Sequence, residues 1–236
     1  MRGGDNRQAY DRGVSLWSPD GRIYQVEYAR EAVKCGSPSV GIRVKDAVVL
    51  AAARRVHSEL LEPRSIEKLH RVDDHHGVAS AGHVADARQL VEVARRAAQV
   101  ERLRYGEPIT TDQLTTEISE HIQEYTQSGG TRPYGAALLV GGYDERPRLF
   151  ETDPSGTPYE WTAKVVGGRS EQIQEHLEER YSEEMSVHET VALAADVLAE
   201  EEEEDAPENV AVSVIDADGY RQLSDDEVAD AIAGSE

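Results

Sequence analysis

Ser37 follows a glycine and precedes a β-type run, so it is the first residue to consider for catalysis. A glycine before a hydroxyl residue is what a self-cleaving precursor would show. Cleavage would leave Ser37 with a free amine, and such an amine can act as the base for its own hydroxyl. A serine–histidine–aspartate triad is the other option, since histidines are scattered at His57, His70, His83, His121, His176 and His188. No Gly-x-Ser-x-Gly segment supports a triad, and no Gly-x-x-x-x-Gly-Lys segment indicates nucleotide hydrolysis.

A second cluster of reactive side chains is Asp73-Asp74-His75-His76. These residue types can bind a metal, but neighbours on one turn rarely point at the same ion. Hairpin turns favour the same polar types. We therefore predict a turn here, and neither a metal nor a cofactor. Cys35 is the only cysteine, so an internal disulfide or a cysteine zinc site is excluded.

The charge is strongly acidic and unevenly placed. The net charge is −21, which argues against nucleic acid and anionic membranes as partners. Residues 1–110 hold 18 basic and 15 acidic groups, whereas residues 111–236 hold 7 basic and 31 acidic groups. A surface rich in carboxylates and poor in lysine resembles proteins of salt-loving cytoplasms, where salt screens self-repulsion. An ordinary acidic protein with an acidic binding face is the alternative.

Apolar runs long enough to span a membrane are absent from the sequence, and the N-terminus lacks the apolar core of a signal peptide. A cytoplasmic location is therefore expected.

The residues before Ser37 are predicted to form two successive segments, a flexible one and then a helix. Residues 1–16 are polar and contain glycines, so we predict a flexible segment. Residues 18–21 read Ser-Pro-Asp-Gly and indicate a turn. A helix is predicted over about 22–34, ended by Gly36 in the left-handed conformation. Spacings of three and four residues predict its apolar face: Ile23, Tyr24, Tyr28, Ala29, Ala32 and Val33.

The remaining elements follow in the order strands, two helices, strands, two helices and a strand. Capping boxes at Thr110, Ser186 and Ser224 mark helix starts. Two helical pairs covering two sheets give a four-layer α-β-β-α sandwich of the α+β class, because each sheet needs both faces covered. We predict one domain over residues 17–236, with an acidic C-terminal tail whose run at 200–205 is solvated.

Several segments closely resemble the α-type subunits of proteasomes, and the likeness covers roughly residues 9–200. Six segments carry it: Ser-Pro-Asp-Gly-Arg at 18–22, Gln-Val-Glu-Tyr-Ala at 25–29, Glu-Ala-Val-Lys at 31–34, Ser-Ile-Glu-Lys at 65–68, Val-Ala-Asp-Ala-Arg at 84–88 and Arg-Pro-Tyr-Gly at 132–135. An ordered set of this length is far more specific than a single motif.

The resemblance implies an archaeal 20S proteasome α-type chain, and the charge is typical of a halophile. The implied fold is that of N-terminal nucleophile hydrolases with a helical N-terminal extension. Seven α-type subunits would form an outer ring on a ring of β-type subunits, which hold the threonine-type endopeptidase activity. The implied partners are an ATP-dependent unfoldase of the AAA class and unfolded protein substrates in transit. The implied role is gating in broad-specificity, ATP-dependent protein degradation.

The same resemblance implies two groups of site residues and no catalytic ones. The implied gate residues are Tyr10, Asp11, Arg12, Pro19 and Tyr28. The implied docking pocket for the ATPase C-terminus contains Lys68, Gly36 and His83, where His83 replaces the leucine of many relatives. An ammonium and a terminal carboxylate make a charge-assisted hydrogen bond, which suits Lys68 to this role.

Two alternative functions stay open from the sequence. One is an active hydrolase that uses Ser37 after self-cleavage; against it, Ala53 stands where active family members carry an aspartate. The other is a free-standing binding module with the same fold. Light scattering separates these classes, because a ring favours the proteasome role and a monomer favours the module.

Overall fold

The computed structural model describes residues 24–56, 58, 60–127, 132–199 and 209–234. Within these ranges the helices are α1 (Tyr24–Lys34), α2 (Val84–Tyr105), α3 (Thr111–Gln127), α4 (Ser170–Arg180), α5 (Val187–Ala199) and α6 (Asp225–Ala233). The strands there are β1 (Ser39–Arg43), β2 (Val48–Ala53), β3 (Leu69–Arg71), β4 (His76–Gly82), β5 (Ala136–Tyr143), β6 (Pro147–Thr152), β7 (Pro158–Glu160), β8 (Ala163–Val166), β9 (Val210–Asp216) and β10 (Gly219–Gln222). The predicted flexible segment at 1–16, the turn at 18–21 and the acidic run at 200–205 lie outside the described residues.

The strands form two antiparallel sheets of five strands each. The first has the order β10-β9-β2-β1-β8 and the second β3-β4-β5-β6-β7. The β1–β2 hairpin pairs Arg43 with Val48, as the Lys45-Asp46 turn predicts. Every residue of β2 is buried, since the strand is central in its sheet and covered on both faces. An uninterrupted apolar sequence, Val-Val-Leu-Ala-Ala-Ala, is typical of such a position.

Three apolar clusters define four layers, and the predicted α-β-β-α sandwich is confirmed. The first cluster joins α4, α5 and α6 to the outer face of the first sheet, through residues such as Ile173 and Leu198. The second joins α2 and α3 to the outer face of the second sheet, through Leu90 and Ile118. The third lies between the two sheets and includes Leu50. Each sheet thus has both faces covered by apolar side chains.

Helix α1 adds to this sandwich by packing against β4 and β5. Its buried residues are Val26, Ala29 and Val33. The prediction that Tyr24 and Tyr28 belong to the apolar face is wrong, because they are 50% and 66% exposed. The same spacing therefore places two aromatic rings on the outer side of the helix.

One predicted helix boundary is confirmed, and another forms for a different reason. Ser224 and Glu227 form the predicted capping box of α6. Helix α2 ends at Gly106, whose φ of +78° is the left-handed conformation that favours glycine. Helix α1 does end at Lys34, but the prediction that Gly36 adopts the left-handed conformation is wrong. A glycine is needed there because the backbone of Gly82, at the end of β4, lies against it.

Candidate functional site

Lys68 lies beneath the junction between α1 and β1 and is only 8% exposed. Its ammonium donates to the carbonyl oxygens of Ser37 at 2.6 Å, Pro38 at 2.9 Å and Ala53 at 3.2 Å, and to Ser37 Oγ at 2.9 Å. Lys68 directly precedes β3 of the second sheet. Its side chain reaches the start of β1 and the end of β2 in the first sheet. Four oxygens thus surround one buried cation, which satisfies the requirement that a buried charge be hydrogen-bonded.

The surroundings of Ser37 do not favour nucleophilic catalysis. The Ser37 hydroxyl donates to the Ala53 carbonyl at 3.0 Å, and a carbonyl oxygen cannot take its proton. The Lys68 nitrogen donates to oxygens and so offers no lone pair as a base. Ala53 contacts Ser37 and Lys68 through its carbonyl oxygen, and its methyl side chain carries no group that could take a proton. Ser37 thus contacts the Lys68 ammonium and the Ala53 carbonyl, and neither of these groups can take its proton.

Gly36 is packed against the backbone of Gly82. A methyl carbon added to Gly36 would lie 2.5 Å from Gly82 N and 2.9 Å from its Cα, which no real side chain tolerates. Gly82 itself has a φ of +101°, a conformation that favours glycine. The Gly36 carbonyl also accepts a hydrogen bond from Gly168 N at 2.7 Å. The junction before β1 is therefore fixed by backbone contacts from the end of β4 and from the loop before α4.

His83 precedes α2 and is exposed. Its backbone N–H donates to the Gly135 carbonyl at 2.8 Å, and a Cβ on Gly135 would lie 2.6 Å from the His83 ring and 3.2 Å from Ala32 Cβ. Gly82, the neighbour of His83, touches Gly36, and Lys68 binds Ser37, the neighbour of Gly36. The structure thus brings the three predicted docking residues into one contiguous set beside α1.

Asp86 and Arg132 form a clamp beside this set that the sequence reasoning did not identify as a pair. Arg132 donates two hydrogen bonds to the Asp86 carboxylate, at 2.6 and 2.7 Å, and Gly135 N donates a third at 2.8 Å. Burial of Asp86 favours the neutral acid, but the bonds from Arg132 and Gly135 outweigh it and lower the pKa of Asp86. The signal was available, because both residues lie in the segments that carry the family resemblance.

Of the predicted gate residues, only Tyr28 lies in the described part of the chain. It stands on the outer side of α1. Tyr10, Asp11, Arg12 and Pro19 lie outside the described residues. On the same helix Arg30 donates to Asp153 at 2.8 and 2.9 Å and to Glu27 at 2.9 Å, which ties α1 to the turn after β6.

The Asp73–His76 cluster is an ion-paired junction. Among the described residues no group of metal-binding side chains has a suitable arrangement. His76 is 1% exposed, its Nδ1 lies 2.9 Å from Asp73 Oδ1, and its Nε2 lies 3.6 Å from Asp144 Oδ1. Burial lowers the pKa of His76, but the two carboxylates outweigh it and raise that pKa to about 9. Asp144 also accepts from Thr111 N at 3.0 Å, so the imidazolium links a hairpin to the start of α3.

Known proteins match this chain over nearly its whole length. A family model described as "Proteasome subunit" matches residues 33–215, and a second model, for the N-terminal signature of A-type proteasome subunits, matches residues 10–32. The chain is 54% identical to a proteasome alpha subunit of Haloquadratum walsbyi, over 100% of this chain and 96% of the relative. It is 55% identical to a proteasome alpha subunit of Natronomonas pharaonis (97% and 91% covered) and to the proteasome alpha 1 subunit of Haloferax volcanii (97% and 92% covered).

These relatives cover the chain almost from end to end, at identities well above those that show only a shared fold. The helical extension and the four-layer sandwich are matched by separate family models on adjoining segments. No helix in the described ranges is long and apolar enough to cross a bilayer. The chain belongs to the proteasome α-subunit family.

Proposed function

We propose that this chain is a non-catalytic subunit of the 20S core and acts in the cytoplasm. Seven copies of α-type subunits would form the outer ring. That ring would gate the passage of substrates and dock a regulatory ATPase. The arrangement at Ser37 carries the proposal. In the uncleaved chain, the Ser37 hydroxyl donates to the Ala53 carbonyl and accepts from the Lys68 ammonium, and neither of these groups can act as a base. The peptide bonds cut by such a particle would then be cut in its β-type subunits.

The ring and gate roles are supported by the exposed side of α1. Tyr24 and Tyr28 are large, half or more exposed, and one helical turn apart. Aromatic side chains are enriched where protein surfaces meet, because they bury much area at a low cost in side-chain entropy. The gate in this proposal is the chain before α1, which contains Tyr10, Asp11 and Arg12. A phenol and a carboxylate from neighbouring subunits could hydrogen-bond there.

The docking role is supported by the set formed by Lys68, Gly36 and His83. Lys68 supplies the cation for a C-terminal carboxylate. Gly36 lets the end of β4 approach the junction closely, because a side chain there would collide with Gly82, and the neighbouring His83 is exposed. The guest in this proposal is the C-terminal end of an AAA-type unfoldase, and the cargo that then passes is unfolded protein.

The proposal is tested with the serine that could have been a nucleophile. Particles are assembled from the β-type partner with either the unaltered chain or the Ser37→Ala variant. We expect equal hydrolysis of a fluorogenic peptide per active site, because Ser37 does no chemistry. Light scattering verifies a ring rather than a monomer. Loss of hydrolysis with intact assembly would make Ser37 the nucleophile, and a monomer at working salt would favour the binding module.

A further inference from the structure

We propose that Arg54 and Arg64 form a binding site for a small monovalent anion at the start of α6, beside Asp225. Arg54 directly follows β2, and Arg64 lies in the short helical turn Pro63–Ser65 of the loop that comes next. Asp225 is the first residue of α6. These residues have no part in the docking or gate sets described above, so the inference does not depend on the proposed function.

The Arg54 side chain is buried, and two of its donor atoms have no acceptor. Only 8% of the side chain is exposed, and within the described residues neither Nε nor Nη1 has a hydrogen-bond partner. An oxygen of Asp225 lies 3.6 Å from Nη1, which is close enough for an ion pair but too far for a hydrogen bond. Because a buried charge is costly unless it is paired and hydrogen-bonded, Arg54 favours an added acceptor.

The charges around Arg54 select an anion rather than a cation. Arg64 donates to the other oxygen of Asp225 at 3.0 Å, and its own side chain is 81% exposed. Two guanidinium groups therefore face one carboxylate, and the first N–H groups of α6 add partial positive charge. Asp226 and Glu227 in the same turn are exposed, and Glu227 already accepts from the helix cap and from an arginine. One monovalent anion balances Arg54, Arg64 and Asp225.

The anion must be small, because the Arg54 guanidinium is almost completely enclosed. Chloride is one source of it, since the acidic composition of the chain is typical of a salt-rich cytoplasm. A carboxylate of the chain itself is the other source. Residues 200–208 contain seven acidic groups and directly precede Asn209, whose carbonyl accepts from Arg54 N at 2.6 Å. Both sources bring one negative charge to the same guanidinium.

The experiment measures chloride binding to the assembled ring of the full chain. Chloride that binds to a protein broadens the chloride NMR line, and potassium gluconate replaces potassium chloride so that ionic strength stays constant. Arg54→Met is compared with Arg55→Met, the matched control. Arg55 is the exposed neighbour, and both variants change the net charge from −21 to −22. The Arg54 component is the line width with Arg55→Met minus the line width with Arg54→Met, and we expect it to be positive.

A second arm separates the two sources of the anion. The seven acidic residues within 200–208 are changed to their amides, and both arginine variants are made again in that background. If chloride is the ligand, the Arg54 component is present with the acidic run and with the amide run. If a carboxylate of the run is the ligand, the component is present only with the amide run, because the neutral run no longer competes. Equal line widths for Arg54→Met and Arg55→Met in both backgrounds would overturn the site.

Arg64→Met tests the site without changing a buried residue. Because Arg64 is 81% exposed, its loss should leave the fold intact. Removing its charge should weaken chloride binding about threefold, the size expected for an exposed ion pair. The affinity is measured in the background in which the Arg54 component is present, and Arg55→Met is again the control. Equal affinities in Arg64→Met and Arg55→Met would remove Arg64 from the site.

Discussion

At the scale of single residues, Lys68 and His76 are two of the buried cationic side chains in the described ranges, and their hydrogen-bond partners differ. Lys68 is surrounded by carbonyl and hydroxyl oxygens, which carry no charge. His76 lies between the carboxylates of Asp73 and Asp144. Because carboxylates favour the protonated ring, the charge of His76 is tied to the strength of this junction. The pH dependence of folding should therefore report on His76.

We predict that stability falls as pH rises from 7 toward 10, and that His76 causes much of the fall. The pKa of His76 is raised from 6.5 to about 9 by folding, so its contribution is complete below 6.5 and is lost as pH rises through about 9. A shift of this size corresponds to something on the order of 3 kcal/mol. The free energy of unfolding of the isolated ring, measured with denaturant at fixed KCl, checks this loss.

His76→Gln serves as the control, because glutamine keeps hydrogen-bonding groups but cannot become charged. Its unfolding free energy should change much less between pH 7 and 10 than that of the unaltered chain. The pKa values of Asp73 and Asp144 are lowered against burial by their bonds to His76, so their contribution is lost instead as pH falls below the usual aspartate range. Parallel curves for the two proteins above pH 7 would contradict the assignment to His76.

The role of His76 could not be predicted from the sequence. Asp73 to His76 were predicted as a turn, and three of the four residues do lie in the connection between β3 and β4. His76 instead begins β4, and its partner Asp144 is 68 positions away along the chain, where nothing in a single sequence marks it. Lys68, Gly36 and His83 were found because family segments pointed to them. Their contacts with Ser37, Gly82 and Gly135 depend on tertiary packing.

At the scale of elements, sequence patterns predicted the helices and most strands but missed one edge strand of each sheet. The unpredicted strands are β7 and β10, which stand at the ends of the two sheets. All three residues of β7 are exposed, and β10 begins with Gly219, so neither has an alternating or continuous apolar pattern. The pattern of α1 also misplaced two tyrosines. Aromatic residues satisfy a helical period whether they face the core or a neighbour, and the composition of this chain cannot separate the two.

The exposed side of α1 leads to a prediction about the segment before it. Removing residues 2–12 should raise the hydrolysis of peptides and unfolded chains several-fold, because Tyr10, Asp11 and Arg12 would no longer obstruct the pore. The measurement is the hydrolysis rate per β-type active site. The number of active sites is determined with a covalent inhibitor, so that differences in the amount of assembled particle do not affect the rate. The Ser37→Ala particle is a matched control with an intact N-terminal segment. Equal rates in the truncated and unaltered particles, with assembly preserved, would count against a closed pore.

At the scale of the whole molecule, the dominant feature is net charge. The acidic excess comes entirely from residues 111–236, which supply helices to both outer layers. Like charges spread over both outer layers repel one another in the compact state more than in the unfolded chain. The Debye length is about 10 Å at 0.1 M salt and about 3 Å at 1 M. Only concentrated salt therefore screens the repulsion between neighbouring surface carboxylates.

We therefore predict that the ring is more stable in molar KCl than in 0.1 M KCl, and that the effect follows the charge. Replacing the exposed Glu120, Glu175 and Glu179 by glutamine changes the net charge from −21 to −18 and should lower the KCl concentration needed for half-maximal stability. Arg96→Gln with Arg104→Gln changes it to −23 and should raise that concentration. Sucrose in place of KCl strengthens the burial of apolar surface but does not screen charges. It should therefore stabilise the unaltered chain and both variants to the same extent. Thermal unfolding across a KCl series measures all three. If both variants followed the curve of the unaltered chain, the salt effect would arise from burial rather than charge, and the acidic surface would be better explained as a binding face.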